Sequence, residues 1–165
     1  MNSSVFSGPY PVVVVVSRDQ SSGVLRASPF TWAVPIDKTG MAIVLMRNIS
    51  KTLENIKAGC SMVTLSTIRP DRDSAQKILK TCDPSDRQPL ELEDHVGWPV
   101  KVPRIAASSI LSEVIASESH TLSTGYTTVF LKTLDIGGYL ASTLVLMHSG
   151  GKLFSTPSFF EVEGY

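Results

Sequence analysis

Polar and apolar positions fall into short blocks separated by turn residues. The first block is "PVVVVVSRD", residues 11–19. Consecutive valines favour a strand, and a run without polar interruption predicts burial on both faces. "DQSSG" (19–23) predicts a turn in which Gly23 supplies backbone freedom. "VLRASPFTWAV" (24–34) reads as extended, with Pro29 marking an edge or an irregularity because it cannot donate to a ladder. A second turn, "PIDKTG" (35–40), leads into the apolar strand "MAIVLM" (41–46). Then the period changes. Leu53 and Ile56 predict a helix of about two turns ending near Gly59. "CSMVTLST" (60–67) returns as a strand.

"DRDSAQKILKTC" (71–82) carries the clearest helical pattern, with Ala75, Ile78, Leu79 and Cys82 at i, i+3, i+4 and i+7. Asp73 and Gln76 read as its capping box. Residues 83–105 are rich in Pro, Asp and Glu and read as a loop excursion that carries function or a partner contact, anchored by Trp98. Beyond it, "RIAASSILSEVIASES", "TGYTTVFLKTLDI", "STLVLMH", "KLFS" and "SFFEVEG" all read as strands. There is no internal repeat and no βα alternation. Many short strands with two short helices predict a mainly β protein, a barrel or a sandwich. The 165 residues fit a single domain, 1–165, with a sizeable core.

Composition narrows the partners. Fifteen basic residues balance fifteen acidic ones, without a basic stripe, which argues against nucleic acid. "PVVVVV" is too short to span a bilayer, and "MNSSVFSGPYP" lacks the basic start and apolar stretch of a signal peptide. Cys60 and Cys82 are isolated and form neither a disulfide framework nor a zinc site, so a reducing, cytoplasmic location is expected. Cys60, at the start of an apolar strand, reads as a core thiol.

Candidate chemistry is sparse. His95, His120 and His148 include no pair at metal-ligand spacing, so no metal is expected. Neither a nucleophile elbow nor a phosphate-binding P-loop is present. His120 and His148 read as surface or turn histidines. The informative stretch is "RNISKTLENI", residues 47–56. With Ser50 as N-cap, Lys51 as N1 and Thr52 as N2, hydroxyls and free N–H groups converge at the positive end of a helix, with Arg47 close by. Two readings compete: a plain serine cap with solvated cations, and an anion site. "RASPFTW" (26–32) lies one hairpin earlier, so the two stretches can sit side by side. There Ser28 and Thr31 are small and polar, and Phe30 and Trp32 are expected on the strand face opposite Thr31. Either this segment presents backbone polar groups to a planar ring, or it is an edge strand with core aromatics.

In their order, these pieces resemble the flavin reductase-like family, the FMN-binding split barrel. "PVVVVVSRDQSSGVLRASPFTWAV" resembles the family's opening strand, glycine turn and N-V-A-P-F-S-W segment, and "AIVLMRNISKTLENI" its next strand and S-x-T-x-x-N-I element. "CSMVTLST", "VPRIAASSILSEV", "SHTLSTGYTTVFLKTLDI" and "VLMHSGGKLFS" resemble the segments that follow, so the likeness runs over about residues 10–155. It implies a Greek-key antiparallel split β-barrel with a few short helices, assembled as a homodimer. It implies that Ser50 and Thr52 bind the FMN phosphate with Arg47, Asn48 and Lys51 nearby. It further implies that Arg26, Ala27, Ser28, Pro29 and Thr31 lie along the flavin ring and ribityl chain, with Asn55 holding the loop through side-chain to backbone bonds. Arg26 departs from the family's usual Asn or Thr, and His120 lacks the preceding Gly-Asp. The implied activity is hydride transfer from NAD(P)H to flavin N5, with FMN as cofactor and FAD as its alternative, and no catalytic side chain. The rival readings are a flavin-binding electron carrier or storage module without NAD(P)H activity, and a β-barrel interaction module without flavin.

Overall fold

Five consecutive valines cannot point one way in a strand, because alternate side chains emerge on opposite faces. The computed structural model describes residues 10–35, 40–119, 125–137, 145–149 and 152–155, and in it Val12 to Val16 are all at most 7% exposed. Two separate cores bury them. Val13 and Val15 join Val44, Met46, Leu53, Ile56, Val63, Leu65, Val129 and Leu131. Val12, Val14 and Val16 join Ile68, Ile78, Leu90, Val100, Ile105 and Leu146. The unbroken apolar run is thus the shared wall of two hydrophobic clusters.

The strands are β1 (Tyr10–Pro11), β2 (Val13–Arg18), β3 (Leu25–Phe30), β4 (Ala33–Pro35), β5 (Met41–Arg47) and β6 (Met62–Ile68) in the first half. The second half holds β7 (Leu92–Glu93), β8 (Val102–Pro103), β9 (Ala106–Ser119), β10 (Tyr126–Gly137), β11 (Leu146–Ser149) and β12 (Lys152–Ser155). Helix α1 spans Lys51–Lys57 and α2 spans Arg72–Cys82. The main sheet is antiparallel, in the order β3-β2-β6-β9-β10-β5-β4. Its two outer strands, β3 and β4, are consecutive in the chain and separated only by Thr31 and Trp32. Leu45 N donates to Trp32 O across that gap at 2.9 Å. One bent segment therefore joins both edges and curls the sheet into a barrel. The fold is mainly β, with two short helices among the described residues, and is the Greek-key split barrel that the family resemblance implies.

Local chemistry explains the bends. Pro29, opposite Val14, sits on a strand that has one neighbour among the described residues, where a missing N–H is tolerated. Between β9 and β10 the register slips at Phe130/Leu131 and at Thr133/Asp135, bulges that tighten the curl of these long strands. Gly23 closes the β2–β3 turn at φ 72, and Asp19 Oδ1 accepts from Ser21 N, Ser21 Oγ and Ser22 N. Cys60 is buried at 2% exposure, as a core thiol should be. The small sheet β1-β11-β12 stands beside the barrel.

Three sequence expectations are corrected. The N-cap of α2 is Asp71, not Asp73: its carboxylate accepts from Ser74 N at 2.8 Å and Ser74 Oγ at 3.0 Å. Asp73 instead pairs with Lys77 one turn on, at 3.0 Å. The buried face of α2 is Ser74, Ile78 and Thr81, whereas Leu79 is 55% exposed and Cys82 is exposed. The side chain of Asn55 does not hold its own loop through backbone bonds among the described residues. Its Nδ2 donates to Ser17 Oγ at 3.0 Å, a buried contact that ties α1 to β2.

Residues 83–105 are an ordered layer: β7 pairs with β8, and Leu90, Val100 and Ile105 complete the second core. Trp98 anchors this layer as expected, donating from Nε1 to Asp135 Oδ2 at 2.8 Å and stacking on His95 at 4.0 Å. His120 and the expected strand "SFFEVEG" lie outside the described residues.

Candidate functional site

An open groove of about 1300 Å³ runs along β3. Because β3 is a terminal strand of the sheet, one rim of its backbone N–H and C=O groups has no strand partner among the described residues. Arg26, Ala27, Ser28, Pro29, Phe30 and Thr31 all line the groove. The strand stops at Phe30, so the expected alternation of faces does not continue to Trp32. Phe30 packs against the first core, while Trp32 emerges 43% exposed. It lies 5.6 Å from Tyr126 at an interplanar angle of 31°, and both rings line the groove. Trp32 is therefore a wall of the cleft and not a core residue.

The β5–α1 corner supplies the next wall. Arg47 ends β5, and Ser50 N donates to its carbonyl at 2.9 Å, closing a tight turn. Ser50 is the N-cap of α1 in an extended conformation, yet its side chain makes no capping bond. Its hydroxyl is free, and Ser50, Arg47, Ile49 and Lys51 line the groove. Lys51 is held at 2.6 Å from Glu54 on the exposed surface. The first-turn N–H groups of a helix have no intrahelical partner.

Eight of the ten residues singled out in the sequence line this one groove: Arg26, Ala27, Ser28, Pro29, Thr31, Arg47, Ser50 and Lys51. Two do not. Asn48 locks the corner onto β10: its N–H donates to Gly125 O at 2.9 Å and its Oδ1 accepts from Thr127 Oγ1 at 2.8 Å. Thr52 is fully buried, and its Oγ1 has no hydrogen-bond partner. It is not among the residues that line the groove, while Leu53 and Ile56 of the same helix lie in the first core.

The remaining wall comes from α2 and the segment after it. Ile78, Leu79, Thr81, Cys82, Arg87, Gln88, Leu90 and Leu92 reach the groove. Sequence reading missed these residues because only the packing of 72–92 beside β3 brings them there. His148, expected on a turn or open surface, is half-buried in β11 opposite Tyr10, and both line the groove.

Charge in the cleft is one-sided. Among the described residues, the side chains of Arg26, Arg47 and Arg87 have no hydrogen-bond or ion-pair partner, and all three line the groove. Although Cys82 is exposed as a residue, its thiol is partly enclosed, and that desolvation pushes it upward against the nearby Arg87 charge, so it is a neutral thiol at pH 7. The Asp19 carboxyl is lowered to about 2, chiefly by the Ser21 hydroxyl and the Ser22 and Ser21 amides, with a smaller contribution from Lys51. No group of three or more His, Cys, Asp and Glu side chains among the described residues is arranged to hold a metal ion. No helix of the described residues is long and apolar enough to cross a membrane.

No family model and no curated protein matches the chain in sequence. Solved structures do match in fold. A split-barrel protein from Shewanella frigidimarina assigned as a flavin reductase superposes with a TM-score of 0.81 at 11% identity, over 97% of this chain and 88% of that one. The Streptomyces globisporus NADH:FAD oxidoreductase gives 0.74 at 11% identity, over 98% and 88%. The Pseudomonas fluorescens 2-nitrobenzoate 2-nitroreductase gives 0.73 at 14% identity, over 95% and 89%. The architecture is thus the split barrel of the flavin reductases.

Proposed function

We propose that the protein is a flavin reductase that binds FMN, or FAD in its place, in the β3 groove and reduces it with NAD(P)H. The carrying observation is the convergence of one unpaired backbone rim, a Trp–Tyr wall and unneutralised arginines in a single cleft. A flavin needs these three things: hydrogen-bond partners for the polar edge of its ring, an apolar flank for its faces, and cations for its phosphate. When bound, the flavin supplies the hydride-accepting chemistry.

The chain's own groups bind and orient. The free amides of β3 meet the polar ring edge, and Trp32 and Tyr126 exclude water from one flank. Arg47, Arg26 and Lys51 attract the phosphate, which also reaches the Ser50 hydroxyl and the N–H groups of Lys51 and Thr52. Thr52 contributes its backbone and not its side chain. A homodimer, usual for this architecture, would bring a second barrel to the cleft.

Titration with FMN, followed by quenching of flavin fluorescence, tests the reading. Wild type should bind saturably, and R26Q/R47Q should bind at least about tenfold more weakly. Riboflavin, which lacks the phosphate, should bind both proteins alike. A wild-type protein that leaves FMN and FAD fluorescence unchanged would refute flavin binding. Oxidation of NADH or NADPH at 340 nm (about the nicotinamide band) with added flavin then separates a reductase from a carrier.

A further inference from the structure

The groove is larger than one ligand requires, since pockets for a drug-sized ligand run to about 1,000 Å³, against about 1300 Å³ here. Its cations also come from separate parts of the fold. Arg26 lies on β3 and Arg47 ends β5, whereas Arg87 follows α2. From this arrangement we infer that Arg87 anchors a phosphate of the second nucleotide, the electron donor, and so governs donor affinity without touching the flavin phosphate. The inference rests on the flavin reductase reading above.

Arg87 is held ready for an anion. The two acids nearest in sequence are engaged elsewhere: Asp83 Oδ1 accepts from Ser85 N at 2.8 Å and Ser85 Oγ at 2.6 Å, and Asp86 Oδ2 accepts from Gln88 Nε2 at 3.3 Å. Neither lies within ion-pair distance of the Arg87 guanidinium, and neither lines the groove. The mount is rigid. Gln88 N donates to Lys80 O at 3.1 Å, and Leu90 is buried in the second core. Leu79, Pro89 and Leu92 line the cleft beside it, an apolar bed for a flat heterocycle next to a cation suited to bidentate phosphate contact. Arg87 and Cys82 line the same wall of the groove.

ADP-ribose, which carries the donor's diphosphate but not its nicotinamide, is the probe. It would be titrated calorimetrically into the full chain with and without FMN, for wild type, R87Q and R87K. Wild type should bind, R87Q should bind at least about tenfold more weakly, and R87K should fall between, because a lysine keeps the charge and loses the fork. FMN affinity should be the same in all three. Equal ADP-ribose affinity in wild type and R87Q overturns the assignment, as does a wild type that takes up no ADP-ribose under either condition. Weakened FMN binding in R87Q also overturns it, placing Arg87 on the flavin. Failure of wild type to bind FMN would refute the flavin reading alone, and the ADP-ribose comparison without flavin would still decide the role of Arg87.

Discussion

Thr52 separates what the residue pattern implies from what the packing does. Its hydroxyl is fully buried without a partner, and an unpaired buried hydroxyl costs about 1–3 kcal/mol. Thr52→Val keeps the shape, and Thr and Val have similar helix propensities. The substitution should therefore stabilise the fold by about 1–2 kcal/mol. For a chain of 165 residues that corresponds to a melting temperature higher by about 2–8 °C. Flavin affinity should not change. Ser50→Ala should do the reverse: little effect on melting, because the hydroxyl makes no cap bond, and weaker FMN binding. Paired thermal denaturation and FMN titration of the two variants checks both halves. A Thr52→Val protein that melts lower would mean that the hydroxyl has a partner in the folded protein, and one that loses FMN affinity about tenfold (about 1.4 kcal/mol) would mean that the ligand satisfies it; either result refutes the reasoning.

Two further outcomes test the scaffold. A Cβ at Gly137 would meet His95 Nε2 and, at 2.8 Å, Trp98 Cη2, so Gly137→Ala should cost about 1–3 kcal/mol by overpacking and shift Trp98 fluorescence; unchanged melting and emission would refute the packing of this corner. Asp71 and Asp19 lie below the ordinary 3.8 because amides and hydroxyls bond their carboxylates, so their stabilisation is complete above about pH 4 and is lost as pH falls through the folded values. In scans from pH 5 to 2 (roughly the carboxylate range), Asp71→Asn should melt with a shallower acid slope than wild type, and an identical slope would count against the Asp71 contribution.

Much of this fold is legible locally. Strand identity from β2 to β6, the Ser50 N-cap and the end of α1 near Gly59 all follow from patterns a few residues long. So does the neighbourhood of the two site stretches, because a single hairpin connects them. The misreadings arise where the outcome depends on distant packing. Asp71 and Asp73 each begin a plausible cap, and only the extended backbone at Asp71 decides between them. Leu79 reads as core by spacing, yet the second cluster is filled by Ile78 and by Leu90, Val100 and Ile105 from a segment with no periodicity. Arg87 escapes notice for the same reason: its place depends on how the 72–92 segment packs beside β3. Trp32 lies in a stretch the sequence singles out, but its exposure follows from the end of β3 at Phe30, which no local pattern marks. Thr52 matches a motif in type while its side chain obeys the helix.

The bend at Thr31–Trp32 has a thermodynamic consequence. The segment that floors the groove is also the seam that closes the barrel, pairing with β2 at one end and β5 at the other. A ligand that bonds the free rim of β3 in the closed barrel and not in the opened one holds that seam shut. Occupancy and barrel closure are then one linked equilibrium: at a free ligand concentration of about 100 Kd the closed form gains about 2.7 kcal/mol. Local opening of the seam, signalled by loss of the Leu45–Trp32 bond, is the fluctuation that this binding suppresses, and the β6–β9 wall has no such dependence.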